Sequence, residues 1–319
     1  MACATRINIR RSASMIIEEA IPSALDGERL DRIVALMLDV SRSDAASIIE
    51  GGGVTVDAAP THVGKQRLTK GQLVRVDDSF LPAPLLPQPD ASLDVDIVHA
   101  DDDVIVVNKS AGMVVHPAAG HQGGTLVNAL LARFPEISDV GEPIRPGVVH
   151  RLDAGTSGLL MVARSGLAYE HLVAQLAERS VEREYVALAW GHFDSATSTI
   201  DAPLGRDHRD PMRMAVVHDG KMARTHIEVL QSFADPAALS LVKCNLETGR
   251  THQIRVHLAA VSHPVVGDAT YGGSRSSLPA PRPMLHARRL GFVHPSTGEF
   301  MAFETPIPKD MADVIACCS

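Results

Sequence analysis

"HRLDAGTSGLLMVAR", residues 150–164, is the stretch from which the rest of the chain is read. Its second half, "GLLMVAR", is a strand that runs into a core, and "AGTSG" breaks the extended chain just before it. If 149–153 is extended, alternate side chains share a face. Arg151 and Asp153 then point one way, and His150 and Leu152 the other. Asp153 thus stands at a strand-to-turn junction where a buried sheet meets a cleft, with a guanidinium two residues away. Such a place keeps a carboxylate ionised and partly desolvated, which suits a nucleophile or a base. The same residues also make an Asx-turn with a structural Arg151–Asp153 ion pair, the simpler reading on this stretch alone.

Outward from it, the texture from Leu93 onward is strand-rich. "LDVDIVHADDDVIVVNKSAGMVVHP" gives three strand-like runs, divided at Asp101–Asp103 and at Ser110–Gly112. "TLVNALLARF" is a helix capped by Thr125, 167–179 is another, and a third lies near 251–262. "VEREYVALAWG" alternates as a strand, and further strands are expected at 222–231, 239–246, 284–293 and 300–304. Strands outnumber helices and do not alternate with them, so the class is α+β with a mixed, largely antiparallel sheet.

The N-terminal part is organised differently. "GERLDRIVALML" has helical spacing at Leu30, Ile33, Val34, Met37 and Leu38. "SRSDAASIIEGG" is a second helix, with Ser41 as N-cap and Asp44 at the capping-box distance. Short strands around Val54–Val56 and Leu73–Val76 follow. The expected layout is therefore an extension over 1–25, a small domain over 26–78, a Pro-rich linker over 79–92 and a large domain over 93–319. "MACATRINIRRSAS" is basic but has no apolar centre, so it is read as a disordered extension or as residues ahead of a start at Met15, not as a secretory signal.

The 319 residues are 45% apolar but only 3% aromatic, so an aromatic side chain among charges is informative. A net charge of −8 argues against general nucleic-acid binding. It leaves room for a local basic groove, because charges are felt over roughly 8 Å. The four cysteines (Cys3, Cys244, Cys317, Cys318) form no CxxC pair, which disfavours a zinc site or a disulfide framework and fits a reducing cytoplasm. No apolar run reaches the roughly 18–20 residues that span a bilayer.

Three further clusters can carry chemistry. In "LETGRTHQIRVHLAAVSHPVVGD", 246–268, Thr251 can cap a helix whose first turns gather Arg250, His252, Arg255 and His257. Two histidines five apart share no helix face, so an anion, carboxylate or phosphate, fits this cluster better than a metal; a merely polar helix start is the alternative. On the strand "VEREYVALAWG", Val181, Arg183 and Tyr185 share a face, and Tyr185 is either a stacking platform for a base or a core residue. "GRDHRDPMRMAVVHDGKMARTH", 205–226, is a basic hairpin that includes Arg206. There is no GxSxG elbow and no glycine-rich phosphate loop, which sets aside a Ser hydrolase and a nucleotide cofactor.

Taken in order, "HRLDAGTSGLLMVAR", "EREYVALAWG" and "LETGRTHQIRVHLAAVSHPVVGD" resemble the three signature motifs of the RluA/RluC/RluD family of pseudouridine synthases. The resemblance covers roughly 93–305. "RLD…SRS…GGVTVD…KGQLVRVD" resembles the small RNA-binding S4 domain, a layout shared with RluC and RluD and closest to RluD. One departure is Ala154-Gly155, where many relatives carry a charged pair.

The resemblance implies a pseudouridine synthase fold and the isomerisation of specific uridines in large-subunit ribosomal RNA by a cytoplasmic monomer, with no metal or organic cofactor. Asp153 would be the catalytic carboxylate, with three routes open to it: addition to the base, attack on the sugar, or removal of a sugar proton. Arg255 would pair with Asp153, and Tyr185 would lie against the target ring. Arg151 would fill the gap left by the extruded uridine, and Arg32, Ser41, Arg42, Arg206, Arg250 and His252 are expected to contact RNA. A non-catalytic S4-type binding or ribosome-assembly factor is the competing class, and the retained Asp, Tyr and Arg argue against it.

Overall fold

A computed structural model describes residues 15–38, 40–81, 86–117, 123–207, 210 and 213–319. The chain divides into two compact units, up to residue 84 and from 85 onward.

The first unit runs β1 (Ile16–Ala20), α1 (Leu30–Leu38), α2 (Arg42–Glu50), β2 (Val54–Val56), β3 (Ala59–Pro60) and β4 (Leu73–Asp77). Its antiparallel sheet has the order β1-β4-β2-β3. The apolar face of α1 buries Leu30, Ile33 and Val34 against Ala45, Ile48 and Ile49 of α2 and Val54, Val74 and Val76 of the sheet. Ser41 caps α2, its hydroxyl oxygen accepting from the Asp44 N–H. The strand β1 corrects the expectation that 1–25 is an extension. It pairs with β4 from Ile16↔Asp77 to Ala20↔Leu73. Four of its five side chains are exposed, so backbone pairing makes this strand and no apolar alternation announces it. Residues 1–14 of that call, Cys3 included, lie outside the described residues.

The second unit runs β5 (Asp96–Ala100), β6 (Val104–Lys109), α3 (Leu126–Arg133), β7 (Ser157–Ala163), α4 (Gly166–Glu178), β8 (Glu182–Trp190), β9 (Thr197–Asp201), β10 (Leu204–Arg206), β11 (Met214–Val216), β12 (Arg224–Phe233), β13 (Leu239–Leu246), α5 (Gln253–Ala260), β14 (Leu285–Val293), β15 (Phe300–Glu304) and α6 (Lys309–Ala316). Nine strands form one sheet, β5-β6-β7-β14-β8-β13-β12-β9, with β15 on β14. Every pair in it is antiparallel except β7 with β14. This is the α+β, largely antiparallel architecture expected.

Strand alternation divides the core. Ile105, Val107, Leu160, Val162, Tyr185 and Ala187 pack with Leu130 of α3 and Ile254 and Leu258 of α5. Val106, Leu159, Met161 and Ala163 pack with Ala168 and Leu172 of α4. Val186, Leu188 and Trp190 meet Met311 and Val314 of α6. Thr125 and Asn128 form a reciprocal capping box at α3.

Two local expectations change. "MVV" at 113–115 is not a strand, because the carbonyls of Val114 and Val115 accept the first N–H groups of α3. The second half of the 79–92 segment is fastened, the Gln88 carbonyl accepting from Asn128 Nδ2 at 2.7 Å; residues 82–85 lie outside the described set.

The parallel contact of β7 with β14 sets where the 150–156 loop ends. It pairs Ser157 with His286 and Gly158 with Ala287. Gly158 has φ +114, and a Cβ there would stand 2.2 Å from the Ala287 carbonyl oxygen. Backbone strain and a clash with backbone each cost roughly 1–3 kcal/mol. Gly158→Ala is therefore expected to lower the unfolding free energy by about 2 kcal/mol or more in urea denaturation. A loss under about 0.5 kcal/mol, the range of an ordinary surface change, would contradict this packing.

Candidate active site

Asp153 sits in the loop ahead of β7, where the Thr156 N–H donates to the Asp153 carbonyl at 3.0 Å and closes a turn. Its carboxylate faces α5. That helix begins one residue later than a Thr251 cap would give. The residue ahead of it is His252, with φ 58, and its side chain makes no capping bond. The Gln253 side chain ties the segment ahead of the helix to its first residue, its Oε1 accepting from the Arg250 N–H and the Thr248 hydroxyl. Arg255 is thereby aimed inward from the first turn.

Arg255 Nη1 donates to Asp153 Oδ2 at 3.0 Å. Its Nε and Nη2 donate to the two oxygens of Asp268 at 2.6 and 2.9 Å. Asp268 is fully buried, and its Oδ1 also accepts the N–H groups of Thr270 and Tyr271. One guanidinium therefore bridges two carboxylates, one structural and one at the edge of a cleft. Burial works against the charge of Arg255, but the bonds to Asp268 and the charge of Asp153 outweigh it and raise its pKa above the ordinary arginine value. The Tyr271 ring lies 5.1 Å from the same guanidinium.

The backbone after Asp153 is held by two more cations. Lys109 is buried at the end of β6, and its Nζ donates to the carbonyls of Ser110, Met113 and Ala154 at 2.9, 2.9 and 3.2 Å. Burial pushes its pKa down to about 8; the Asp153 charge opposes that and Arg282 adds to it. Arg282 Nη1 donates to the Gly155 carbonyl at 3.2 Å, and a Cβ on Gly155 would stand 3.0 Å from Pro283. Ala154-Gly155 thus has a local use in this chain: its carbonyls anchor the loop, and its small second residue lets Pro283 approach.

Asp153, Tyr185, Arg250, His252 and Arg255 line one small cleft, closed by Leu152 and Leu285. Tyr185 is buried, and burial pushes its hydroxyl up to about 12, with Arg183 opposing and Asp153 adding; it stays protonated at working pH. His252 Nε2 lies 3.9 Å from Asp153 Oδ1, and its Nδ1 is 2.8 Å from the Tyr271 hydroxyl. Burial is the main cause that lowers the His252 pKa, favouring the neutral ring.

Arg151 is exposed and does not bond to Asp153; its Nη1 is 3.4 Å from His116 Nε2. The Arg151–Asp153 pair is thus replaced by Arg255–Asp153, because the chain after Leu152 turns the carboxylate toward α5. Arg151 lines the two larger hollows on either side, of about 420 and 520 Å³. Arg206 ends β10, exposed and outside these hollows. In the first unit Arg32 pairs with Glu28, Arg42 with Asp31, and Ser41 is the α2 cap.

Lys109, Asp268, Tyr271 and Arg282 were not assigned from sequence. Lysine closing an apolar strand and aspartate ending "SHPVVGD" were the available signals. Among the described residues no three His, Cys, Asp or Glu side chains are grouped to hold a metal.

Comparison with known proteins gives the family. The family described as RNA pseudouridylate synthase matches residues 103–260. An uncharacterized RNA pseudouridine synthase of Bacillus subtilis, YlyB, is 44% identical over 295 residues, covering 90% of this chain and 93% of that protein. The ribosomal large subunit pseudouridine synthase D of Neisseria meningitidis is 45% identical over 318 residues, covering 93% and 80%. That of Pseudomonas aeruginosa is 43% identical over 303 residues, covering 91% and 92%. Among solved structures, human RNA Pseudouridylate Synthase Domain Containing 1 superposes with a TM-score of 0.57 at 32% identity, covering 73% of this chain and 91% of the human one.

Lys109 supplies a pH test of the loop anchor. An unfolded lysine titrates near about 10.4. Between pH 8 and that value the unfolded chain holds a proton that the folded chain has released, so this group makes stability rise with pH across the window and costs stability below it. The unfolding free energy of the wild type, relative to Lys109→Met, is expected to rise by up to about 3 kcal/mol from pH 8 to about 10.4 in urea melts. A difference that stays flat would contradict a buried ammonium at this position.

Proposed function

The chain belongs to the RNA pseudouridylate synthase family, and from that membership we propose that it converts specific uridines of large-subunit ribosomal RNA to pseudouridine. The observation that carries this reading is the Asp153 carboxylate. One of its oxygens is fixed by Arg255, while the other faces a cleft walled by Tyr185.

The reaction detaches uracil from C1′, turns it and rejoins it through C5. All three routes open to the aspartate need its carboxylate in a fixed position, and the Arg255 bond supplies that. Tyr185 offers the ring a flat apolar wall with a protonated hydroxyl, suited to lie against the base and to assist at C5. The target must leave the RNA stack, at a cost of a few kcal/mol that is least in loops and irregular regions. Arg151, exposed beside the cleft, is suited to occupy the vacated space.

We assign the first unit, S4-like in its two helices and short strands, to docking on RNA through Arg32, Ser41 and Arg42. Arg206, Arg250 and His252 are assigned to RNA contacts in the second unit. The enzyme is taken to act as a cytoplasmic monomer without a cofactor. No helix among the described residues is long and apolar enough to cross a membrane.

Pseudouridine mapping of ribosomal RNA from cells lacking this protein tests the substrate. One or more large-subunit pseudouridines are expected to revert to uridine and to return when the wild-type gene is restored. An unchanged large-subunit map with a loss elsewhere would overturn the substrate assignment.

A further inference from the structure

Beside the Asp153 cleft, on the far side of Tyr185, lies a hollow of about 420 Å³ lined by Arg151, Arg179, Arg183 and Arg250. Its one acidic wall residue, Glu247, is committed to Arg179, Arg224 and His226. Arg145, at the rim, is committed to Glu142. Arg183 is different. The residue is 8% exposed, Nη2 donates to the Glu247 carbonyl at 3.2 Å, and the buried Nε has no partner among the described residues. No carboxylate pairs with it among the described residues, and Arg250 is a second positive charge close by.

A buried, unpaired guanidinium is costly and is normally found where an anion completes it. Space is also kept for it: a Cβ on Gly249 would stand 2.7 Å from Arg183 Nη1. Arg183 and Tyr185 lie on the same face of β8, two residues and roughly 7 Å apart. A base against Tyr185 therefore carries its backbone toward Arg183.

We propose that Arg183 and Arg250 form a phosphate subsite, which takes a phosphodiester of the RNA next to the target uridine and sets the nucleotide's register over Asp153. This rests on the reading of Asp153 and Tyr185 as the base-handling centre. Arginine suits the task because its planar fork meets two phosphate oxygens at once. Burial and the Arg250 charge lower the Arg183 pKa, a strain that an incoming phosphate relieves.

The test uses the full-length protein and a large-subunit ribosomal RNA transcript, with binding and turnover measured over a salt series. Arg183→Met is expected to raise KM by about tenfold or more, with a smaller effect on kcat. It should also flatten the plot of log affinity against log salt by about 0.7, one contact's worth for single-stranded RNA. Arg183→Lys keeps the charge and is expected to retain the slope. Arg250 is exposed, so Arg250→Met should fold normally, and the same flattening is expected there; this variant decides the matter if Arg183→Met does not fold. An unchanged slope in a folded Arg183→Met protein, or in Arg250→Met when that protein does not fold, would overturn the subsite. Turnover by Asp153→Asn would instead overturn the assignment of the centre while leaving the slopes as measured.

Discussion

The guanidinium of Arg255 is shared between a carboxylate that never meets solvent, Asp268, and one that opens onto a cleft, Asp153. Asp268 is held by two backbone N–H groups as well as by the arginine, so it fixes the arginine rather than the reverse. Arg255 in turn fixes one oxygen of Asp153 and leaves the other at the cleft. Removing Asp268 would strip the buried guanidinium of its two strongest bonds, whereas without the Asp153 carboxylate it keeps both of them.

Arg255 and Asp268 are neighbours in sequence, and the fold brings Asp153 to them from far away. Arg255 and Asp153 are 102 residues apart. The Asp153 loop is stitched at its far end by the parallel β7–β14 contact, which only a residue without a Cβ allows at Gly158. Between those points Lys109 and Arg282 hold the carbonyls of Ala154 and Gly155. Three cations thus set one short loop, two through its backbone and one through its carboxylate. That division of labour lets the loop keep its shape while the other oxygen of Asp153, with His252 Nε2 at 3.9 Å, faces the cleft.

Much of this was legible in the sequence, for identifiable reasons. The strands around "GLLMVAR" and "VEREYVALAWG", and the faces on which Arg183 and Tyr185 lie, follow from alternation alone. The position of Asp153 at the end of an extended stretch followed too, but its partner did not. Spacing suggested Arg151, because two residues apart on a strand is the nearest arginine, whereas the turn after Leu152 swings the carboxylate to α5. Only the family resemblance pointed to Arg255. Lys109 and Asp268 went unassigned because each ends an apolar run as a lone charge, and their partners are backbone groups or a residue that sequence pattern cannot pair with them. The strand Ile16–Ala20 escaped for a related reason: an edge strand with exposed side chains is defined by its backbone bonds.

We propose that Asp153 does the chemistry, while its surroundings serve to hold it. The most direct measurement is tritium release from a large-subunit RNA transcript labelled at uridine C5, incubated with Asp153→Asn, with RNA affinity measured on the same protein. Asparagine keeps the volume and can still accept from Arg255, but it has no carboxylate to offer. No detectable conversion is expected, with RNA affinity within a few-fold of the wild type. Substantial turnover by that variant would contradict it.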